Sequence, residues 1–360
     1  MKNRNFKLTH YPISQPGTYN GRMATVDLFK RPVRDLRISV TDRCNYRCTY
    51  CMPLDEYNWI DKTEVLSFEE ITRLAGIFVG LGVEKIRLTG GEPLVRKDLE
   101  KLVAGLAGLD GLQDVTLTTN GAHLAEKAEI LRAAGLQRIN VSLDTLNGAK
   151  FKQITKRGNL DDVLAGIFAA QRAGFHPLKI NAVVVRGLND GEILDLVTFA
   201  RKHGFEMRFI EYMDVGNANS WSLEKTVSKR EILETINRRY PLRETGRRDG
   251  HAPAVDYEFV DGGGNVGIIG SVTEPFCSSC TRARLTADGK LVTCLFAQQG
   301  FDLKALLRDG AGDDQLREAI AAVWTRRTDR YSDQRWEAIR SGGSYQPASQ
   351  KKIEMITLGG

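Results

Sequence analysis

Leu36-Arg37-Ile38-Ser39-Val40 runs straight into Thr41-Asp42-Arg43-Cys44-Asn45-Tyr46-Arg47-Cys48-Thr49-Tyr50-Cys51. The first five residues form a short apolar, β-branched run and predict a strand; the next eleven place three cysteines, spaced C-x3-C-x2-C, in the loop that follows it. Soft thiolates at such close spacing select an iron-sulfur cluster or zinc. A structural zinc site closes with a fourth protein ligand, and the nearest histidine in sequence is His10. A cubane held by three cysteines instead leaves one iron open to an outside molecule.

Beyond this loop the chain repeats one rhythm of apolar run, loop and amphipathic helix. The runs are Leu36–Val40, Lys85–Thr89, Asp114–Thr118, Gln137–Ser142, Leu178–Val185 and Glu206–Glu211. Helical periodicity covers Phe68–Gly80, Lys97–Leu106, Leu124–Ala134, Leu160–Ala173 and Gly191–His203, several opened by Ser, Asp or Asn in capping positions. Alternation of this kind predicts an α/β fold with a parallel sheet. Six units suit a doubly wound sheet or a partly closed barrel, and in either case function gathers beyond the C-terminal ends of the strands. The rhythm breaks at the polar stretch Gly216–Ser220, where a boundary is expected. After it come a short helix from Ser228, short strands at Gly267–Val272, Arg282–Thr286 and Lys290–Thr293, helices from Asp302 and Asp314, and a polar tail closing on Gly359 and Gly360.

A chain of 360 residues suits one large domain with a smaller companion, and its 42% hydrophobic and 27% charged content is ordinary for a globular protein. No stretch approaches the roughly 18 apolar residues of a membrane helix. Residues 1–31 form a polar, basic extension without the apolar core of a secretory signal, so secretion is not expected. A net charge of +6 lies within what a solvated surface carries and calls for neither nucleic acid nor membrane. The six cysteines fall into two groups of three with none left over, and in a chain of this size without a signal they read as metal ligands, not as three disulfides.

The second group is Cys277, Cys280 and Cys294, spaced C-x2-C-x13-C. Zinc competes here, but no further Cys or His follows before the end of the sequence, leaving a carboxylate such as Asp288 as the fourth ligand. Arg282 and Arg284 stand two apart in a probable strand, so both side chains project from one face and suit phosphate oxygens. Arg37, and Lys85 with Arg87, show the same strand placement, and Lys179 opens the fifth run. Cations inside a barrel are costly unless an anion meets them. Gly90-Gly91-Glu92-Pro93 follows the second strand, and Thr118-Thr119-Asn120, Ser142 with Asp144, and Arg208 with Glu211 and Met213 lie at further strand ends.

The C-x3-C-x2-C loop after the first strand, with the glycine pair after the second, resembles the radical S-adenosylmethionine (SAM) superfamily. That resemblance implies a partial (βα)6 TIM-like barrel over 32–215, a smaller C-terminal domain over 216–340 carrying a second iron-sulfur cluster, and a tail over 341–360. It implies two [4Fe-4S] clusters, one on Cys44, Cys48 and Cys51 and one on Cys277, Cys280 and Cys294, with SAM on the open iron of the first. From about residue 32 onward the chain resembles one branch of the superfamily, the GTP-cyclising enzymes that open molybdenum cofactor biosynthesis. There a 5'-deoxyadenosyl radical takes hydrogen from C3' of GTP, C3' attacks C8 of guanine, and the resulting aminyl radical is reduced.

Carried over by position, the resemblance assigns Tyr50, Gly91, Ser142 and Met213 to SAM. It assigns Arg37, Arg87, Thr118, Lys179, Arg282, Ala283 and Arg284 to GTP, with Lys85, Arg208, Gly359 and Gly360 as additions. It further implies a cytoplasmic protein, an electron donor such as flavodoxin or ferredoxin, and delivery of product to cyclic pyranopterin monophosphate synthase; a homodimer is allowed by it but not required. Two rivals stand beside this reading: a radical SAM enzyme that modifies peptides with an auxiliary cluster, and a non-enzymatic zinc protein that binds RNA.

Overall fold

The computed structural model describes residues 17–19, 22–342, 345 and 351–359. Six parallel strands are laid down in order: β1 (Asp35–Ser39), β2 (Lys85–Thr89), β3 (Asp114–Thr119), β4 (Arg138–Ser142), β5 (Lys179–Val184) and β6 (Glu206–Glu211). Each pairs with the next in sequence without reversal. A doubly wound sheet reverses its strand order at a switch point, so sequential order selects the barrel winding. β1 and β6 do not pair with each other, which leaves the barrel open.

The C-terminal part of the chain fills both open edges. It contributes β7 (Leu242–Gly246), β8 (Val255–Phe259), β9 (Asn265–Ile269), β10 (Arg282–Leu285), β11 (Lys290–Val292) and β12 (Phe301–Asp302). β9 joins β6 in parallel and β10 joins β1 in parallel, each then extended by antiparallel partners, giving the order β12-β11-β10-β1-β2-β3-β4-β5-β6-β9-β8-β7. The predicted strands at 282 and 290 agree to within a residue. The predicted Gly267–Val272 starts at Asn265 and ends at Ile269, and β7 and β8 lie in Arg- and Gly-rich sequence whose composition hides them.

The helices cover the outer face: α1 (Phe68–Gly80), α2 (Leu99–Ala107), α3 (Leu124–Ala133), α4 (Gly148–Thr155), α5 (Leu160–Arg172) and α6 (Ile193–His203). α1 starts at a reciprocal cap in which Ser67 accepts from the Glu70 amide and Glu70 from the Ser67 amide. Strand alternation decides what faces them. Leu36, Ile38, Ile86, Leu88, Leu117, Ile139, Val141, Ile180 and Ala182 are fully buried beneath the helices, whereas the intervening residues face inward and are mostly polar. A barrel interior filled with branched aliphatics is a packed core. This one is lined by charge and remains a cavity.

The last described segment differs from the expected polar tail. α7 (Lys229–Asn237) follows Ser228 as predicted, but after α8 (Leu303–Arg308), α9 (Asp313–Thr325) and α10 (Tyr331–Arg340) the short turn α11 (Met355–Leu358) buries Ile356 and Leu358. Lys352 is fixed by its Nζ donating to the Asp214 carbonyl at 2.7 Å and carboxylate at 2.9 Å, with Arg335 on the other carboxylate oxygen. Burial, Arg335 and Lys352 act on Asp214; burial pushes its carboxyl up, but the two cations and the Tyr331 hydroxyl outweigh it and hold it at about 2.

Candidate active site

A cavity of about 680 Å³ opens at the C-terminal ends of the strands and runs down the barrel interior. All six cysteines line it, and all six are free thiols. The loop of the first trio is held by short contacts that start at strand ends. Tyr50 donates its hydroxyl to Asp144 at 2.6 Å, and the other Asp144 oxygen accepts from the Val183 amide at 2.8 Å. Asn120 donates to the Asn45 side chain at 2.8 Å, and the Tyr46 amide donates to Cys44 Sγ at 3.4 Å. Glu92 accepts from Thr119 Oγ1 at 2.7 Å, the Asn120 amide at 2.7 Å and the Leu94 amide at 3.0 Å; burial nevertheless pushes its carboxyl up to about 7.

Gly90 and Gly91 are required by close approach, for a different partner from the one expected. A Cβ on Gly90 would lie 2.3 Å from the Thr41 carbonyl oxygen, and one on Gly91 would lie 2.4 Å from that of Arg43. The glycine pair therefore admits the main chain that leads into Cys44, and the Gly91 amide donates to Thr41 at 2.8 Å. Gly91, Ser142 and Met213 all line the cavity beside this loop.

The opposite wall is cationic. Register places Arg284 beside Arg37 and Arg37 beside Arg87 across three adjacent strands, with Arg282, Asp35 and Lys85 in the row below. Several cations have acidic partners: Lys85 with Asp35 at 3.7 Å, Arg138 with Asp114, Lys179 with Glu206, and Arg208 with Asp256 at 4.0 Å. Arg37, Arg87, Arg282 and Arg284 make no ion pair among the described residues. Arg87 reaches Thr118 Oγ1 at 3.1 Å, Arg284 donates to the Gly359 carbonyl at 2.8 Å, and Arg282 lies 5.1 Å from the Phe276 ring centroid with Nη1 buried and unpartnered.

Burial and the repulsion of Arg282 push the Arg37 guanidinium down to about 10; burial and Arg37 push Arg87 down to about 9; burial, Arg37 and Arg282 push Arg284 well below its ordinary value. Four guanidiniums, two buried and two partly buried, that raise one another's cost form a site for a multiply charged anion.

Of the positions anticipated from sequence, eighteen candidates (six cysteines, Tyr50 and the three others of the cofactor set, seven cations and Thr118) face this cavity. Ala283 does not: its side chain is fully buried in the apolar layer behind β10, so only its main chain is available. Gly359 touches the site through Arg284 and packs on Thr89, and Gly360 lies outside the described residues. Asp288, considered as a zinc ligand, is occupied by Thr286 Oγ1 and Lys290 Nζ, both at 2.6 Å, and is absent from the cavity wall. Sequence reasoning missed Arg138, Asn140, Asn181 and Arg248. The first three were visible as polar residues at two-residue spacing in β4 and β5; Arg248 sits in a loop and carried no such signal.

The residues fit the clusters by donor chemistry: three free cysteines on one loop after β1, and at the other end of the same cavity Cys277 and Cys280 before β10 with Cys294 after β11, the Tyr46 amide donating to Cys44 Sγ and Arg327 donating to Cys280 Sγ at 3.2 Å. Among the described residues no three Cys, His, Asp or Glu side chains are gathered closely enough to hold a single metal ion. Burial pushes Cys280 up, but Arg282 and Arg327 together overcome it and bring the thiol down to about 6.

Open barrel and cysteine loop together define a radical SAM protein. The Radical SAM superfamily model matches residues 38–200, and the Molybdenum Cofactor Synthesis C model matches residues 205–333. A GTP 3',8-cyclase of Acidothermus cellulolyticus is 49% identical over 93% of this chain and 98% of its own length. GTP 3',8-cyclase 1 of Mycobacterium tuberculosis is 46% identical over 94% of this chain and 96% of its own. The chain belongs to the GTP 3',8-cyclase family. In fold alone it is also similar to Streptococcus suis SuiB bound to S-adenosylmethionine, with a TM-score of 0.56 at 18% identity, covering 88% of this chain and 68% of that one. No helix among the described residues is long and apolar enough to cross a membrane.

Proposed function

We propose that this protein cyclises GTP to (8S)-3',8-cyclo-7,8-dihydroguanosine 5'-triphosphate, the first step of molybdenum cofactor biosynthesis. One observation carries this reading: Arg282 and Arg284, buried, and Arg37 and Arg87, partly buried, share a cavity wall between two cysteine trios and make no ion pair among the described residues. Family membership supports a [4Fe-4S] cluster and SAM at the first trio; when bound they supply the 5'-deoxyadenosyl radical that takes hydrogen from C3'. Cys44, Cys48 and Cys51 would hold that cluster, with Gly91, Ser142, Met213 and Tyr50 around the cofactor. Cys277, Cys280 and Cys294 would hold the second cluster at the guanine end.

The chain's own residues supply placement. Arg37, Arg87 and Arg284, with Lys179 nearby, pin the triphosphate, and pinning one end of the substrate removes the freedom that would let C3' drift from the reacting carbon. Thr118 steadies Arg87, and the Phe276 ring meets the guanidiniums of Arg247 at 5.0 Å and Arg282 at 5.1 Å. A peptide-modifying enzyme needs no such phosphate clamp, and four guanidiniums without an ion pair among the described residues give a zinc protein no benefit. A low-potential electron donor such as flavodoxin or ferredoxin, a cytoplasmic setting, and transfer of product to cyclic pyranopterin monophosphate synthase belong to the same proposal.

Anaerobically purified protein should carry two cubanes of iron and sulfide per chain and form 5'-deoxyadenosine in proportion to GTP consumed. Zinc in place of iron, or cofactor cleavage indifferent to GTP and matched by no cyclised nucleotide, would overturn it.

A further inference from the structure

Asn181 is a polar side chain on the cavity wall with an amide oxygen that is buried and has no hydrogen-bond partner. Its surroundings make this unusual. It stands on β5 in register with Ser142 on one side and Arg208 on the other. Two residues earlier on the same face, Lys179 turns its ammonium to Glu206; across the pair, Arg208 leans toward Asp256 at 4.0 Å. Lys179 is engaged with Glu206, Arg208 Nε is likewise buried without a hydrogen-bond partner, and the Asn181 acceptor is left facing the cavity. A buried carbonyl oxygen left unmatched costs roughly 1–3 kcal/mol, so its retention points to a ligand that supplies a donor.

The level of Asn181 in the barrel says which donor. Lys179, below it, belongs with the phosphate-binding cations; Val183, above it, is tied through Asp144 to Tyr50 of the first cysteine loop. Its own row holds Ser142, which the resemblance gives to the cofactor, and Arg208, which it gives to the nucleotide. Phosphates and sulfonium offer no hydrogen-bond donor. Between a phosphate level and a cofactor level lies a sugar, whose hydroxyls are donors.

We propose that Asn181 is a positioning residue that accepts a hydrogen bond from a ribose hydroxyl of the nucleoside triphosphate, setting the turn of the sugar where it meets the adenosyl group. This rests on the functional reading above and adds to it how the substrate's middle is held: cations fix the triphosphate end, and Asn181 fixes the rotation that cations cannot fix. Asn181 then contributes to selection of ribonucleotide over deoxyribonucleotide, because a missing hydroxyl leaves the buried oxygen unmatched.

The test is equilibrium binding by calorimetry to the anaerobic holoenzyme, comparing GTP with 2'-deoxyGTP and 3'-deoxyGTP, with S-adenosylmethionine titrated separately. Wild-type protein is expected to bind GTP about threefold to tenfold more tightly than at least one deoxy analogue. Asn181→Leu should bring that ratio close to one. Asn181→Asp, which keeps an acceptor, should preserve the ratio even where its charge weakens all three nucleotides. An unchanged ratio in Asn181→Leu overturns the proposal. So does a variant in which only S-adenosylmethionine binding falls, which would give the acceptor to the cofactor's sugar. Failure of wild-type holoenzyme to bind any of the three nucleotides would sink the functional reading itself, a result distinguishable from both.

Discussion

The loop that carries Cys44, Cys48 and Cys51 is tied down by single contacts to Asp144, Asn120 and its own Arg47, whereas the wall leading to Cys277, Cys280 and Cys294 is crowded with guanidinium groups. At the first, burial pushes Cys44 up to about 11 and Cys51 up to about 12, and the loop is anchored by Tyr50 on Asp144 and Asn120 on Asn45. At the second, burial pushes Cys277 and Cys294 up as well, but Arg282 and Arg327 bring Cys280 down to about 6. One end of the cavity is therefore built to hold a loop still, the other to draw an anion. The contrast teaches that two similar-looking cysteine trios serve unlike tasks, and that the task is set by the residues around the sulfurs.

Paired cysteine variants test that contrast most severely. Cys48→Ser should abolish 5'-deoxyadenosine formation under all conditions, while Cys280→Ser should keep slow, GTP-independent cofactor cleavage and lose the cyclised nucleotide. Equal loss of cofactor cleavage in both would mean that the two ends do not divide the work.

Arg284→Met sharpens the comparison from the cationic side. Removing a charge-assisted phosphate contact should weaken GTP about tenfold to a hundredfold in a binding titration. The same change removes a buried cation that Arg37 and Arg282 repel, so the thermal midpoint of nucleotide-free protein should rise. A variant with lower stability and intact GTP affinity would show Arg284 to be a structural residue.

A smaller effect is expected from pH. Burial and Arg208 push the Lys179 ammonium down to about 8, with Glu206 opposing them. The charged form holds phosphate, so GTP affinity should be full below that value and fall about threefold to tenfold as pH rises through it. Lys179→Arg, which stays charged, should flatten that limb; a limb that persists unchanged in the variant assigns the titration to another group.

Much of this was legible in the chain before its fold was known. β2 and β6 begin and end where the apolar runs predict, and the inward cations Arg37, Arg87, Arg282 and Arg284 follow from two-residue spacing. The same spacing in Arg138-Ile139-Asn140-Val141-Ser142 was equally readable and was passed over in favour of strand ends. Helix α4 was missed because Lys150, Lys152 and Gln153 dilute its apolar face to Phe151 and Ile154. Arg248 was out of reach, since a loop residue has no periodicity to reveal where its side chain points. The glycine pair after β2 has as its nearest neighbours the carbonyls of Thr41 and Arg43, a close approach that residue identity alone does not announce.

By itself the sequence determined the ligand types, their grouping in threes, the parallel α/β rhythm and the face on which each strand carries its charge, because these depend on residue identity and local spacing. Tertiary structure alone decided that the strands follow one another in barrel order, that β9 and β10 take up the two open edges, and that four guanidiniums lie together without ion pairs among the described residues. Those outcomes depend on which distant segments meet, and hydrogen bonding between strands and the cost of buried charge are settled only where they do.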